Sequence, residues 1–175
     1  MTSPAAPRRA SCARRPTRAL GALAAASAVT LSSCGLFGAD SSEPERNAEG
    51  QVTEAVEDGD VFALQVGDCL GDTGTGEVAE VAIQPCDEPH DSEAFHAFEV
   101  EGEEFPGTEA MAAEAAQCQE EFEAFVGRPV DESTLEINYY APTQQSWDEA
   151  DDREILCLVY DPAGPTTGSL EGSAK

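Results

Sequence analysis

The chain has 175 residues, of which 35 are acidic and 9 are basic, and its formal net charge at pH 7 is −26. Nucleic-acid binding depends on lysine and arginine contacts to phosphates, so this composition excludes nucleic acid as a partner. Five of the nine basic residues lie among the first 18 positions. The remainder of the chain is therefore more acidic than the total charge indicates.

Residues 1–33 have the layout of an export signal. Five arginines come first, and an alanine-rich apolar run from Ala19 to Leu31 follows, with no acidic residue before Asp40. This run is shorter than the roughly 20 apolar residues that span a bilayer. The pattern therefore predicts a cleaved signal peptide and not a membrane-spanning helix.

The signal ends in Leu31-Ser32-Ser33-Cys34, which resembles the lipobox of bacterial lipoproteins. In those proteins a peptidase cuts before the cysteine, whose sulfur carries diacylglycerol. The resemblance implies lipidation at Cys34 and a place on the extracytoplasmic face of the cell membrane, with the membrane as a partner through this lipid. An ordinary signal peptide with a chance cysteine is the alternative, and the paired arginines leave the export route open.

Cleavage would leave four basic residues against all 35 acidic ones, for a net charge of −31. Anionic lipid headgroups repel such a chain, so the lipid itself is the expected anchor. Residues 34–60 lack apolar periodicity and are predicted to form a flexible acidic linker. Residues 61–161 are enough for one small domain, and residues 162–175 are predicted to be a disordered tail.

Apolar alternation within that domain predicts five strands, and apolar spacings of three and four predict one long helix. The helix begins after Pro106-Gly107, with Thr108 as the expected N-cap, and stops at Gly127, and Pro142–Asp152 is a turn or short helix. The predicted strands are Phe62–Val66, Val78–Ile83, Ala94–Val100, Leu135–Tyr139 and Ile155–Tyr160. The predicted fold class is α+β: a small antiparallel or mixed sheet with one long helix packed on it.

Four cysteines remain once Cys12 leaves with the signal and Cys34 takes the lipid. An even number in an oxidising compartment predicts two disulfides, with three possible pairings. Cys118 lies on the apolar face of the predicted helix and Cys157 lies mid-strand, so helix-on-sheet packing favours their pairing. Elimination and proximity in sequence then pair Cys69 with Cys86. No two cysteines are close enough in sequence for a typical zinc or redox motif.

These features together resemble the septum-formation domain family, over roughly Phe62 to Tyr160. The family implies an extracytoplasmic domain with a link to septation, and it implies no catalytic residue or ligand. The turn between Trp147 and Arg153 often carries glycine in the family, whereas this chain has five other residues there. The resemblance rests on Val66-Gly67-Asp68-Cys69, Pro85-Cys86, Pro89-His90, Glu93, Phe105-Pro106-Gly107, Cys118, Tyr140, Pro142-Thr143, Ser146-Trp147, Asp152-Arg153 and Cys157.

His90, Asp91, Glu93 and His96 are the candidates for a divalent metal site. On a regular strand, Glu93 and His96 point to opposite faces because their separation is odd. His96 would share its face with Ala94, Phe98 and Val100, which favours a core histidine, and His90 would hold a turn. We therefore predict no metal site and no cofactor.

The sequence offers no recognisable catalytic motif: a Gly-x-Ser-x-Gly elbow and a calcium-loop pattern are both absent. Trp147, Tyr139 and Tyr140 are interpreted as core or sheet-flanking residues in preference to a recognition surface. The predicted function is a non-enzymatic, lipid-anchored interaction or accessory module of the cell envelope, linked to septation, with envelope or division proteins as partners. The alternatives are a binding or sensing domain for a small ligand, cation or cell-wall fragment, and an enzyme of an unrecognised type.

Overall fold

The structure is a computed structural model that describes residues 43–72 and 77–175. The predicted signal peptide and the lipidation residue Cys34 lie outside these ranges. The described residues contain six strands: β1 (Val56–Asp60), β2 (Cys69–Leu70), β3 (Glu80–Gln84), β4 (Ser92–Glu99), β5 (Glu136–Tyr140) and β6 (Glu154–Tyr160). The helices are α1 (Thr108–Glu114), α2 (Cys118–Val126) and α3 (Gln144–Glu149).

The six strands form one curled antiparallel sheet in the order β1-β3-β2-β4-β6-β5. A 3-10 turn at Ala115–Gln117 joins α1 to α2, which gives a single 19-residue helical segment. Strand β6 lies between β4 and β5, and its residues 155–159 are all buried. The predicted α+β fold class is confirmed. Within the described ranges, no helix has the length and apolar character needed to cross a membrane.

Each face of the sheet carries its own apolar cluster. The helical segment covers one face, where Phe95, Phe122 and Trp147 are the largest buried side chains. The other face curls over a second cluster that includes Leu70, Ile83, Leu156 and Leu158. Strand β6 contributes alternate residues to the two clusters, so its continuous apolar sequence is explained by burial on both sides.

Both predicted disulfides are confirmed. Cys118 in α2 is bonded to Cys157 in β6, with 5.6 Å between their Cα atoms, and this bridge joins the helix layer to the sheet. Cys69 is bonded to Cys86, with a Cα separation of 5.2 Å. Cys69 pairs with Gln84 in the β2–β3 ladder. This second bridge therefore links β2 to the residues that directly follow β3.

Strand β4 departs from regular alternation at a bulge between Ala94 and His96. The bulge turns Ala94 toward the cluster on the far side of the sheet, while Phe98 and Val100 contact the helix-side cluster. The predicted common face for Ala94, His96 and Phe98 is therefore wrong for Ala94. An extra residue in one strand reverses the face of everything beyond it, and a sequence period cannot reveal it.

The predicted first strand, Phe62–Val66, is wrong. Val61–Ala63 instead forms a 3-10 turn in which the Asp60 side chain accepts a hydrogen bond from the backbone N–H of Phe62. Phe62 is 61% exposed and Val66 is 53% exposed, although Leu64 is buried. The true strands lie on either side, and β1 falls inside the segment predicted to be a flexible linker.

The folded domain also begins earlier than residue 61. Arg46 forms a β-bridge with Val52 and donates a hydrogen bond from Nη2 to buried Asp68 at 2.8 Å. Because only Asp68 lies in the predicted domain, this contact ties part of the predicted linker to the fold. The pKa of Arg46 is raised by its hydrogen bond to Asp68.

The segment 162–175, predicted to be disordered, packs against the domain instead. Leu170 is 2% exposed and joins the helix-side cluster. The N–H groups of Gly172 and Ala174 donate to the carbonyls of Phe125 and Val126 at the end of α2. The last carbonyls of a helix lack partners within the helix. The tail supplies those partners, which explains its order despite its polar composition.

Candidate functional site

An open groove of about 1310 Å³ lies at the end of the sheet where β4 and β5 end and β6 begins. Its walls come from parts of the chain that are far apart in sequence. Residues 61–62 and 77–79, which adjoin β1 and β3, supply part of the lining. The end of β5, helix α3 with the turn after it, and the start of α1 supply most of the rest.

Carboxylates dominate the charge of this groove, which is lined by Glu77, Glu99, Glu149, Asp151, Asp152 and Glu154. Arg153 is the one basic residue of that lining. Its guanidinium contacts Asp151 at 2.9 Å and stacks 3.8 Å from the centre of the Trp147 ring. Since Arg153 already has these partners, the groove presents a net negative surface.

Glu99 and Glu154 are direct cross-strand partners in the β4–β6 ladder. Like charges in such a position repel each other. Burial raises the pKa of Glu154 above its ordinary value, and the charges of Asp152 and Glu99 raise it further. Because the folded state favours the protonated form, the contribution of Glu154 to stability is lost as pH rises through the folded pKa. A cation placed between these carboxylates would relieve the repulsion.

Aromatic side chains accompany the carboxylates. Phe62, Phe105, Tyr139 and Tyr140 all line the groove, and Phe62 and Tyr139 are exposed. Aromatic rings attract cations through their faces and bury large areas at interfaces. The combination suits a ligand that carries both positive charge and apolar surface.

Helix α3 and the turn after it form a rigid corner of the groove. Thr143 and Ser146 make a reciprocal capping box, and the Ser146 hydroxyl donates to Asp152 Oδ2 at 2.8 Å. Trp147 is 2% exposed, and its indole N–H donates to the Glu103 carbonyl at 3.3 Å. The predicted core role of Trp147 is confirmed. The motif residues Ser146-Trp147 and Asp152-Arg153 thus hold each other in place.

Asp151 adopts a left-handed backbone conformation in this corner, with a φ of 55°. This is the turn that often carries glycine in the family the sequence resembles. The left-handed region is unfavourable for residues with a Cβ, though aspartate and asparagine tolerate it better than alanine does. At this turn, Asp151 therefore adopts a backbone conformation that glycine would adopt more easily.

Replacing Asp151 separates the backbone effect from the charge effect. We expect Asp151→Ala to lower the free energy of unfolding by about 1 kcal/mol relative to Asp151→Asn, because alanine pays more for the left-handed conformation. Asp151→Gly should be at least as stable as Asp151→Asn. Urea unfolding of the three variants measures these differences, and an alanine variant as stable as the glycine variant would contradict the assignment.

A second polar cluster is buried where β2 and β4 meet the C-terminal tail. His90 is fully buried, and its Nδ1 lies 2.9 Å from the Glu88 carbonyl oxygen. Glu93 is 2% exposed and accepts hydrogen bonds from the Ser169 hydroxyl and the Leu170 N–H, both at 2.6 Å. His90 and Thr166 also form a β-bridge. These contacts fasten the tail to the sheet.

Of the four residues considered for a metal site, the structure places two close together and the other two elsewhere. One oxygen of Glu93 and one ring nitrogen of His90 lie within 4.8 Å of each other and of the Cys69 sulfur. Among the described residues, His96 and Asp91 belong to no such group. The β4 bulge places Glu93 and His96 opposite Val159 and Cys157, which share a face, so the expected opposite orientation is wrong. In the oxidised protein, the Cys69 sulfur is bonded to Cys86 and is not a thiolate ligand.

Sequence reasoning missed the groove. Glu99 and Glu154 are far apart in the chain, and only the β4–β6 register places them together. Tyr139 and Tyr140 were singled out with Trp147, yet they line the groove while Trp147 is buried. An available signal was that Glu99 lies next to the last residue of one predicted strand and Glu154 directly before the first residue of another.

The chain was compared with models of known protein families, with curated proteins and with solved structures. A model for the family described as septum formation matches residues 66–175, which is more than half of the chain. Neither the curated proteins nor the solved structures contain a match. The matched range contains both disulfides, the α3 corner and the packed C-terminal tail. The chain therefore belongs to the septum-formation family.

Proposed function

We propose that this chain is a non-enzymatic, lipid-anchored interaction module on the extracytoplasmic face of the cell membrane, acting in septation. Its acidic, aromatic groove docks a basic, extended segment of an envelope or division protein. The observation that carries the proposal is the groove itself, which combines six carboxylates with four aromatic rings. Membership of the septum-formation family is compatible with this role.

The size of the groove favours a polypeptide over a small molecule. Sites for small ligands usually enclose about 300–1,000 Å³ and bury most of the ligand. This groove, at about 1310 Å³, is larger and partly open to solvent. An extended chain segment fills such a space with alternating side chains, and lysine or arginine on that segment would meet Glu99 and Glu154.

A non-catalytic role is supported by the chemistry of the lining. The described residues that form the groove include no histidine and no cysteine, and Ser146 is their one serine. The Ser146 hydroxyl is engaged with Thr143 and Asp152. The Ser146 hydroxyl secures the capping box, and the described lining offers no histidine to act as a general base for it.

The lipid anchor proposed at Cys34 would keep the domain near the membrane. The folded part begins at the Arg46–Val52 bridge, so about 12 residues separate the proposed anchor from the domain. Even fully extended, they reach no more than about 40 Å. The start of the folded domain would therefore lie within that distance of the membrane surface.

Removing two groove carboxylates tests the docking proposal. In cells, chemical crosslinking of the anchored chain should capture a partner. We expect Glu99→Gln/Glu154→Gln to reduce that capture about tenfold or more, because both charges would contact the basic segment. The purified partner should also bind more weakly as salt rises from low to high concentration, because salt screens exposed charges.

The matched control is Glu120→Gln/Glu121→Gln, which removes the same charge from the exposed side of α2. This control should retain binding. Equal loss in both double variants would assign the effect to net charge and overturn the groove as the docking site. A thermal shift produced by small cations or wall fragments, without a captured protein, would favour the small-ligand alternative instead.

A further inference from the structure

We infer that reduction of the Cys69–Cys86 disulfide converts the buried group of Cys69, His90 and Glu93, together with the partly exposed Cys86, into a zinc site. This inference goes beyond the docking proposal and does not depend on it. In the oxidised domain, the disulfide closes the end of the β2–β3 ladder. In the reduced domain, zinc would join the same segments. The end of this ladder would thus be held either by a disulfide or by a metal ion.

The geometry of the ligand atoms carries the inference. The Cys69 sulfur, a ring nitrogen of His90 and a carboxylate oxygen of Glu93 all lie within 4.8 Å of one another. In tetrahedral zinc sites, with bonds of about 2.0–2.3 Å, ligand atoms are roughly 3.3–3.8 Å apart. Small side-chain rotations would bring the ligand atoms from their present separations to those of a zinc site. We assign the fourth position to Cys86, whose side chain must rotate toward the group after reduction because its sulfur is not among the atoms that lie within 4.8 Å of one another.

His90 makes a hydrogen bond of the kind that orients metal-binding histidines. Its Nδ1 faces the Glu88 carbonyl at 2.9 Å, and since a carbonyl only accepts, Nδ1 carries the proton. Nε2 then keeps its lone pair, with the Thr166 hydroxyl as its neighbour at 3.3 Å. A ligating histidine typically donates its other N–H to a carbonyl in this way.

Glu93 provides the second, independent indication of a cation. It is 2% exposed, and its hydrogen-bond partners Ser169 and Leu170 are neutral donors. None of the ion pairs found in the described part of the chain includes Glu93. A buried carboxylate is costly without a paired cation or a metal. Each oxygen retains a lone pair beyond its present hydrogen bond, so a metal ion can bind without displacing Ser169 or Leu170.

The two disulfides differ in access to a reductant. Cys86 is partly exposed, whereas Cys118 and Cys157 are fully buried. A dithiol reductant would therefore attack the Cys86 sulfur first, releasing Cys69 as a thiolate. The second thiol of the reductant then displaces Cys86, and the reductant leaves as a cyclic disulfide. Zinc binds the two cysteine sulfurs as thiolates, and any protons that they carry go to solvent.

The test uses the full chain carrying Cys12→Ser and Cys34→Ser, so that thiols outside the site do not bind metal. After treatment with a dithiol and its removal without air, zinc is titrated against a chromophoric chelator. We expect one zinc per reduced chain and none per oxidised chain. Cobalt(II) in place of zinc should show a thiolate-to-metal charge-transfer band, and bound zinc should protect Cys86 from alkylation.

His90→Gln and Glu93→Gln should each weaken zinc binding about tenfold or more, while His96→Gln, which changes the other histidine, should leave it unchanged. Thermal unfolding of each oxidised variant establishes that it is folded. If a ligand variant does not fold, protection of Cys86 by zinc in the parent chain decides the matter. A reduced parent that binds no zinc, or affinity unaltered in folded His90→Gln and Glu93→Gln, overturns the inference.

Discussion

Joint replacement of Cys118 and Cys157 by alanine should lower the free energy of unfolding by about 4 kcal/mol. The bridge has a sequence separation of 39 residues, and closing a loop of that length removes about this much chain entropy from the unfolded state. Small domains are stable by about 5–15 kcal/mol in total. The loss would therefore be a large fraction of the total stability. Urea unfolding monitored by far-UV circular dichroism measures the loss.

The second disulfide provides the matched comparison. Cys69→Ala/Cys86→Ala opens a loop with a separation of only 17 residues, for which the same model predicts about 3 kcal/mol. Cys118 and Cys157 are also fully buried in the helix-side cluster, so their removal adds a packing loss. A Cys118→Ala/Cys157→Ala chain that is more stable than Cys69→Ala/Cys86→Ala would contradict this account of the bridge between layers.

Cys34→Ala should release the chain from the membrane or leave an uncleaved precursor. Each buried methylene of an acyl chain contributes about 0.8 kcal/mol of membrane affinity, and two chains give stable attachment. The mature chain would carry a net charge of −31, so no electrostatic attraction to anionic lipid replaces the anchor. Fractionation of cells followed by mass determination of the chain measures both outcomes.

Cys12→Ala is the control, because Cys12 lies in the segment predicted to be removed. That variant should be processed and retained at the membrane like the parent chain. A processed Cys34→Ala chain that stays in the membrane fraction would refute the lipid anchor and would point to retention through a protein partner.

Much of the fold follows from local sequence patterns. The periodic apolar face with Met111, Cys118 and Phe122 indicates the helix, and Gly127 ends it in a left-handed conformation with a φ of 85°. The pairing of Cys118 with Cys157 also follows, because a helix face and a buried strand must pack together. These patterns succeed because they reflect periodicities that secondary structure imposes on burial.

The failures occur where contacts distant in sequence decide the structure. The tail from residue 162 has few apolar residues, yet Leu170 is buried and Glu93 holds the adjacent backbone. Phe62 and Val66 alternate as a strand would, yet the N-cap at Asp60 and the turn at Gly67 prevent one. In both cases the composition of the segment is outweighed by a specific partner elsewhere in the fold.

The sequence by itself determined the family, the helix and the four disulfide cysteines, because each depends on residue types at short, regular spacings. Only the tertiary structure decided the groove and the buried polar cluster. Glu99 meets Glu154 through the β4–β6 register, and Cys69, His90 and Glu93 meet where β2, a turn and β4 converge. The physical reason is that strand register and one bulge set which side chains face each other, and neither leaves a periodic mark in the sequence.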